Sequence, residues 1–388
     1  MAASQSPPGT TTPPPPPKAG ARRFWHRVTD GLEMSELWAQ FTQEARTGYS
    51  LYSREVDWDA AKQQKPVHRA WAVVRDFFWA MIMKLTPARR VLLLIALAAL
   101  LLGDWRFTLE DGTAEINFRA IGILILLVLL ALELADRVTM KRDLEIARDI
   151  QRWLVPAEPP QVEGVEIAFA SRPANTVAGD YYDAFYRPPL PDAHGRERLM
   201  LVVADVAGKS VPAALLMATL QSSLHALAVA PTSLLELVHA LNRYTCARSL
   251  GGLRFTTAFL AEFDPATQTL IYVCAGHNPP ILRRVSGQVE HLETGGLPLG
   301  IDPQAVYEQG SAAMGKGDLL LVYTDGLIEA VNEKGSEYGL EALNELLNIV
   351  PGESAAETLR HLMEDVDRFV GRAPQHDDIT CLVLRSKL

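Results

Sequence analysis

The sequence predicts an α+β fold: helices layered on antiparallel sheets in the C-terminal part, preceded by a transmembrane helical hairpin and a linker helix. Three observations carry this. From Val162 onward, strand-like runs come in groups separated by pairs of helix-like segments. Tight turns at Asp264-Pro265 and Asn278-Pro279 are expected to join neighbouring runs as antiparallel hairpins. Upstream lie two unbroken apolar runs, VLLLIALAALLLG at 91–103 and AIGILILLVLLAL at 120–132.

A chain of 388 residues has room for two or three domains, and 48% hydrophobic residues can fill a sizeable core. The net charge of -9 argues against a nucleic-acid partner, whose phosphates need a basic surface. Cys246, Cys274 and Cys381 are odd in number and lack paired spacing, which fits small buried residues in a reducing compartment.

Taken in order, residues 1–23 are Pro-, Thr- and Ser-rich and have too little apolar surface to fold, so a flexible tail is expected, not a secretory signal. Residues 24–86 form a cytoplasmic or interfacial helical region. Its segment 71–85 reads as an aromatic amphipathic helix, lying either at a membrane interface or on the soluble domain. Residues 87–137 make the hairpin. Each apolar run is shorter than the ~20 residues that span a bilayer comfortably, but neither has a polar stripe and both can be extended. Arg89 and Arg90 precede the first run, and Arg137, Lys141 and Arg142 follow the second; a short, mostly acidic loop lies between. That bias places both ends in the cytoplasm, at the inner membrane. Residues 138–158 read as the linker helix. Val138, Leu144, Ala147, Ile150 and Leu154 form one apolar stripe, which either packs on the domain below or pairs with a second copy. Pro156, Pro159 and Pro160 stop it.

Residues 159–388 form the globular domain. Strands are predicted at 164–171, 181–186, 199–205, 256–264, 269–274, 280–285, 318–323 and 379–385, and helices at 211–228, 233–248, 339–350 and 355–369. Pro212 suits a first helical turn, and Ser233 an N-cap.

Aspartates recur at the strand ends: Asp180 and Asp183 in Gly179-Asp180-Tyr181-Tyr182-Asp183, Asp205 after an apolar run, Asp325 before Gly326, and Asp377-Asp378 before the last strand. Each alone is compatible with a solvated turn. Together they suggest carboxylates converging on hard divalent cations, which relieve their mutual repulsion. Asp180 and Asp183 can point to different faces, one a ligand and the other its support. Gly208 lets the main chain approach a ligand, and Lys209 is a candidate phosphate contact at a helix start. The upstream glycine of a phosphate-loop nucleotide motif is missing. His277 is either a proton donor or a turn residue, and without a positioned partner the turn role is preferred. His376 sits beside Asp377 with no role assigned. No Ser-His-Asp arrangement is legible.

These segments occur in one order with Ala275-Gly276-His277-Asn278-Pro279-Pro280, Gly295-Gly296-Leu297-Pro298-Leu299-Gly300, Tyr323-Thr324-Asp325-Gly326 and His376-Asp377-Asp378-Ile379-Thr380. From about Leu144 to the C-terminus the chain resembles bacterial metal-dependent serine/threonine phosphatases of the sporulation protein E and RsbU type, in the protein phosphatase 2C (PPM) superfamily. The resemblance implies an αββα sandwich of two antiparallel sheets with two manganese or magnesium ions between them. By motif match, Asp180 and Asp205 bind or bridge both ions, the Val206 carbonyl adds an oxygen, and Asp325 and Asp377 complete the site. Asp183, Asp378, Gly208 and Lys209 lie around it. One departure is Ser210, where the family commonly has glycine.

The expected activity is hydrolysis of phosphoserine or phosphothreonine on a regulatory protein, the family suggesting anti-anti-sigma partners. Two rivals remain open: a non-catalytic phosphoprotein scaffold, and a metal hydrolase acting on a small phosphorylated molecule.

Overall fold

The computed structural model describes Arg75, Trp79 and residues 82–109, 112–190, 197–248, 254–349 and 354–387. The expected tail at 1–23 and nearly all of 24–86, including most of the helix at 71–85, lie outside the described residues. The chain divides into two compact units, Met1–Asp136 and Arg137–Leu388.

In the first unit, α1 (Pro87–Leu102) begins with Pro87 in its first turn and ends at Gly103, whose φ is 70°. Strands β1 (Asp104–Leu109) and β2 (Gly112–Asn117) follow as an antiparallel pair. The segment expected as a loop is therefore a β-hairpin, with Leu109 of β1 opposite Gly112 of β2. The helix α2 (Phe118–Leu154) then runs unbroken for 37 residues, about 55 Å at 1.5 Å per residue. The second apolar run and the linker were expected as separate elements. Nothing stops the helix between them, because the next proline is Pro156.

Ala96 and Ala99 of α1 and Gly122 of α2 are buried, and Gly122 lies against Ala96 and Leu100. A Cβ on Gly122 would lie 2.9 Å from the Ala96 carbonyl, so small residues set how closely the helices approach. Arg89 bridges Glu133 (3.1 Å) and Asp136 (2.7 Å) near the opposite end. Leu94, Leu101, Leu124 and Leu127 face outward.

In the second unit one sheet runs β10-β7-β6-β5-β4 with β11 also on β7, and the other runs β3-β13-β12-β8-β9. The first comprises β4 (Tyr181–Arg187), β5 (Arg198–Val206), β6 (Thr256–Asp264), β7 (Thr269–Ala275), β10 (Gly295–Gly296) and β11 (Gly310–Ala313). The second comprises β3 (Val165–Arg172), β8 (Ile281–Arg283), β9 (Val289–His291), β12 (Leu319–Tyr323) and β13 (Ile379–Ser386). Among the described residues, the paired strands of this unit are antiparallel except β10 with β7, and one isolated parallel bridge joins Ala258 to Gly276.

Three cores make four layers. Met200, Val202 and Ala204 of β5 pack with Met217 and Leu224 of α3 (Val211–Ala228) and Leu237 of α4 (Leu234–Cys246). Leu199, Leu201 and Val203 of β5 meet Leu320, Val322 and Leu382 of the second sheet. Leu321, Tyr323 and Val383 pack on Leu343 of α6 (Gly339–Ile349) and Leu362 of α7 (Ala355–Val370). A short helix α5 (Asp325–Ile328) follows β12. Both faces of the central strands are covered, so their sequences are continuously apolar and not alternating. Capping boxes at Ser233 and Ser354 start α4 and α7.

One predicted hairpin is corrected. The Asn278-Pro279 turn does not join paired strands; β7 lies in the first sheet and β8 in the second, so the chain crosses between layers there. The Asp264-Pro265 turn does join a pair, β6 and β7. The short strands β9, β10 and β11 carry too few residues to show a period.

Among the described residues, two helices are long and apolar enough to cross a membrane by length and composition, α2 and α3. Helix α3 instead packs Ala213, Met217, Leu220 and Leu224 into the first core.

Candidate metal centre

Strand period two decides which aspartates can meet. On β5, Asp205 shares parity with Leu199, Leu201 and Val203, the side facing the other sheet. Asp180 precedes β4 in the parity of Ala184, which packs in that same inter-sheet core. Thr324 continues the parity of Leu320 and Val322, and Asp378 that of Leu382 and Leu384. Both sheets thus aim polar residues into one end of the space between them.

The carboxylates there feel one another. Burial first, and then the charges of Asp325, Asp377 and Asp378, push the Asp205 carboxyl up to about 7. Burial and the Asp205 charge hold Asp180 well above the usual carboxylate range. Asp325 is raised by burial and by Asp377. Asp180 and Asp205 come from the first sheet, and Asp325, Asp377 and Asp378 from the second.

Fixed donors orient the inner members. Thr324 Oγ1 donates to Asp180 Oδ2 at 2.9 Å and accepts from the Thr380 amide at 3.0 Å. Asp378 accepts from the Ala174 amide (Oδ1, 2.7 Å) and the Gly179 amide (Oδ2, 2.6 Å), tying the segment before Asp180 to β13. Two glycines permit this closeness. A Cβ on Gly326 would sit 2.1 Å from the Asp378 carbonyl oxygen. One on Gly179 would sit 3.2 Å from the Val206 carbonyl oxygen and 3.8 Å from Asp205 Oδ1. The Val206 carbonyl therefore borders the same space.

Asp183 is placed elsewhere. It faces the helix layer, where Tyr181 Oη donates to its Oδ2 at 2.6 Å and His225 Nε2 of α3 lies 2.7 Å from the same oxygen. Gly208, with φ 126°, lies beside the Arg254 guanidinium. Lys209 Nζ donates to Asp377 Oδ2 (2.9 Å) and to the His376 carbonyl (2.8 Å). Ser210 has φ 63° and ψ -146°, a conformation that suits glycine. His277 is buried, with Nδ1 3.2 Å from Thr257 Oγ1, and burial pushes its pKa down to about 4.

Hard, anionic oxygens whose charges oppose one another suit a divalent cation. Among the described residues, no three His, Cys, Asp or Glu side chains already form a tight cage; an ion would have to draw these oxygens together.

Sequence reasoning missed Thr324 and Gln151. Thr324 was legible from its strand parity next to Asp325. Gln151 ends the linker stretch 144–151 that resembles the helix preceding the domain in this family, but its side chain was given no role; its amide pairs both ways with the Ala178 backbone, donating at 2.7 Å and accepting at 3.0 Å. Its contact with Ala178, 27 residues away, is not visible in any local pattern.

Residues 195–387 match the family model for stage II sporulation protein E (SpoIIE). The phosphoserine phosphatase RsbU of Bacillus subtilis (strain 168) is 29% identical over 252 residues, which cover 64% of this chain and 71% of RsbU. Protein IcfG of Synechocystis is 26% identical, over 66% of this chain but only 43% of IcfG. The SiaA-PP2C domain of Pseudomonas aeruginosa is similar in structure, with a TM-score of 0.55 and 21% identity, covering 65% of this chain and 98% of that domain.

Proposed function

We propose that the protein is a membrane-tethered phosphatase of the SpoIIE/RsbU type, acting on phosphoserine or phosphothreonine of a regulatory protein; the match of residues 195–387 to the SpoIIE family model and the 29% identity to RsbU support this reading. The observation that carries this reading is the meeting of Asp180 and Asp205 from one sheet with Asp325, Asp377 and Asp378 from the other.

Asp180 and Asp205 would hold two divalent ions, manganese or magnesium, together with the Val206 carbonyl, Asp325 and Asp377. When bound, such ions supply an activated water nucleophile and neutralise charge on the phosphoryl oxygens. Thr324 keeps the Asp180 carboxylate turned toward the inter-sheet space. Asp378 pins the approach to Asp180 through the two amides it accepts from. Gln151 adds a third anchor, at Ala178. With these contacts the groups are oriented before substrate arrives.

The outward leucines of α1 and α2 and the flanking arginines support an inner-membrane hairpin with the catalytic unit in the cytoplasm. The linker part of α2 has two apolar stripes. Leu144, Ala147 and Leu154 are half-buried on the Gln151 side, whereas Ile146 (49% exposed), Ile150 (49%) and Trp153 (84%) are open to a second copy. That stripe supports a homodimer through the linker. The resemblance to RsbU supports a partner of the anti-anti-sigma kind.

The test uses the full chain in detergent micelles. Manganese-dependent phosphate release from a phosphoserine protein is expected, lost in Asp205→Ala and Asp325→Ala. Release that survives both substitutions, or needs no metal, overturns the reading. Binding of phosphoprotein without turnover would favour the scaffold, and preference for phosphorylated small molecules would favour the other hydrolase.

A further inference from the structure

Lys209 makes a contact that the proposed reaction leaves unexplained. Its ammonium lies 2.9 Å from Asp377 Oδ2 and 2.8 Å from the His376 carbonyl, so it joins the β5–α3 turn to the segment leading into β13. We infer that Lys209 competes with a divalent cation for Asp377 Oδ2 and so sets the metal concentration at which the outer part of the site fills. This rests on the phosphatase reading above.

An ammonium and a divalent ion on one carboxylate oxygen repel each other strongly at such separations. Asp377 can serve one of them well, and affinity for the metal is reduced by the strength of the bond it replaces. That bond is weak enough to exchange, since Lys209 is 58% and Asp377 42% exposed. The side chain also has somewhere to go. A cavity of about 260 Å³ opens beside it, lined by Lys209, Asp377, Glu329, Glu337 and Gln375. Glu329 already lies within the field of both Lys209 and Asp377. An ammonium leaving Asp377 therefore moves toward another carboxylate. The turn is held in a particular shape by positive φ at Gly208 (126°) and Ser210 (63°) on either side of Lys209, which directs the side chain across the gap.

The experiment is a manganese titration of the full chain in micelles, followed by the electron paramagnetic resonance signal of free Mn²⁺, which reads binding and not turnover. Lys209→Met is expected to fill the weaker manganese position at about two- to fivefold lower metal, the worth of an exposed ion pair. Lys209→Arg, which keeps the charge, should stay near the parent. Arg172→Gln removes another cation lining the same cavity and should not shift the curve. Superimposable isotherms for the parent and Lys209→Met overturn the inference while leaving the phosphatase reading intact. An equal shift from Arg172→Gln overturns it too, by showing that only the general field matters. A parent that binds no manganese overturns both readings.

Discussion

The inner and outer halves of the acidic site are held by different means. Inside, Asp180 and Asp378 are 4% and 9% exposed and rest on donors fixed by the fold: the Thr324 hydroxyl and the amides of Ala174 and Gly179. At the rim, Asp377 is half-exposed and rests on Lys209, a flexible cation with a second place to go. Buried charge is costly, so the inner carboxylates need partners that cannot leave. Rim carboxylates keep access to water and can exchange one cation for another. The fold therefore preorganises one half of the site and leaves the other adjustable.

The largest effect should come from setting one half against the other. Asp180→Asn should lower phosphate release by roughly 10³-fold or more, with no recovery as manganese is raised. Asp377→Asn should recover in part at high metal. Manganese dependence of the rate for both variants checks this, and equal rescue would erase the distinction between the halves.

Next in size is Thr324→Val. It removes the donor to Asp180 and strands the Thr380 amide that now binds the hydroxyl. Manganese affinity should fall by about 10- to 100-fold, as for other groups that orient a ligand. Stability should fall by about 1–2 kcal/mol. A thermal melt beside a binding isotherm measures both, and an unchanged isotherm would show that Thr324 serves packing alone.

The smallest effect belongs to the rim. Ser210→Gly should relieve a positive-φ position and raise stability by about 0.5–1 kcal/mol, the strain relieved being partly offset by the greater chain entropy of glycine. A lowered melting temperature would mean that the serine side chain compensates its backbone.

Much of this site was legible as residues and little of it as geometry. The aspartates announced themselves by standing at the ends of apolar strands, and Asp205 and Asp180 lie where strand alternation sends them. Asp183 stands three residues from Asp180, an odd step, so alternation turns it to the opposite face, where Tyr181 and His225 receive it. Gly326 read as half of a turn pair; its stronger reason is the Asp378 carbonyl pressed against it, a neighbour 52 residues away that no local pattern reveals. The Asn278-Pro279 turn misled for the same cause, since a tight turn says that the chain reverses but not which sheet it enters.

By itself the sequence determined the strand and helix periods of the catalytic unit, the apolar runs upstream, and the set of acidic residues available to a metal. Those properties depend on neighbours within a few positions, where alternation, capping and turn chemistry act. Only the tertiary structure decided which carboxylates share a space, which are buried and which stay open, and that Lys209 rests on Asp377. It also decided that α3, apolar enough to cross a membrane, is instead a core helix of the catalytic unit, with Met217 and Leu224 against β5. Burial and charge coupling are set by residues far apart in the chain, so they come into being only when the two sheets close on each other.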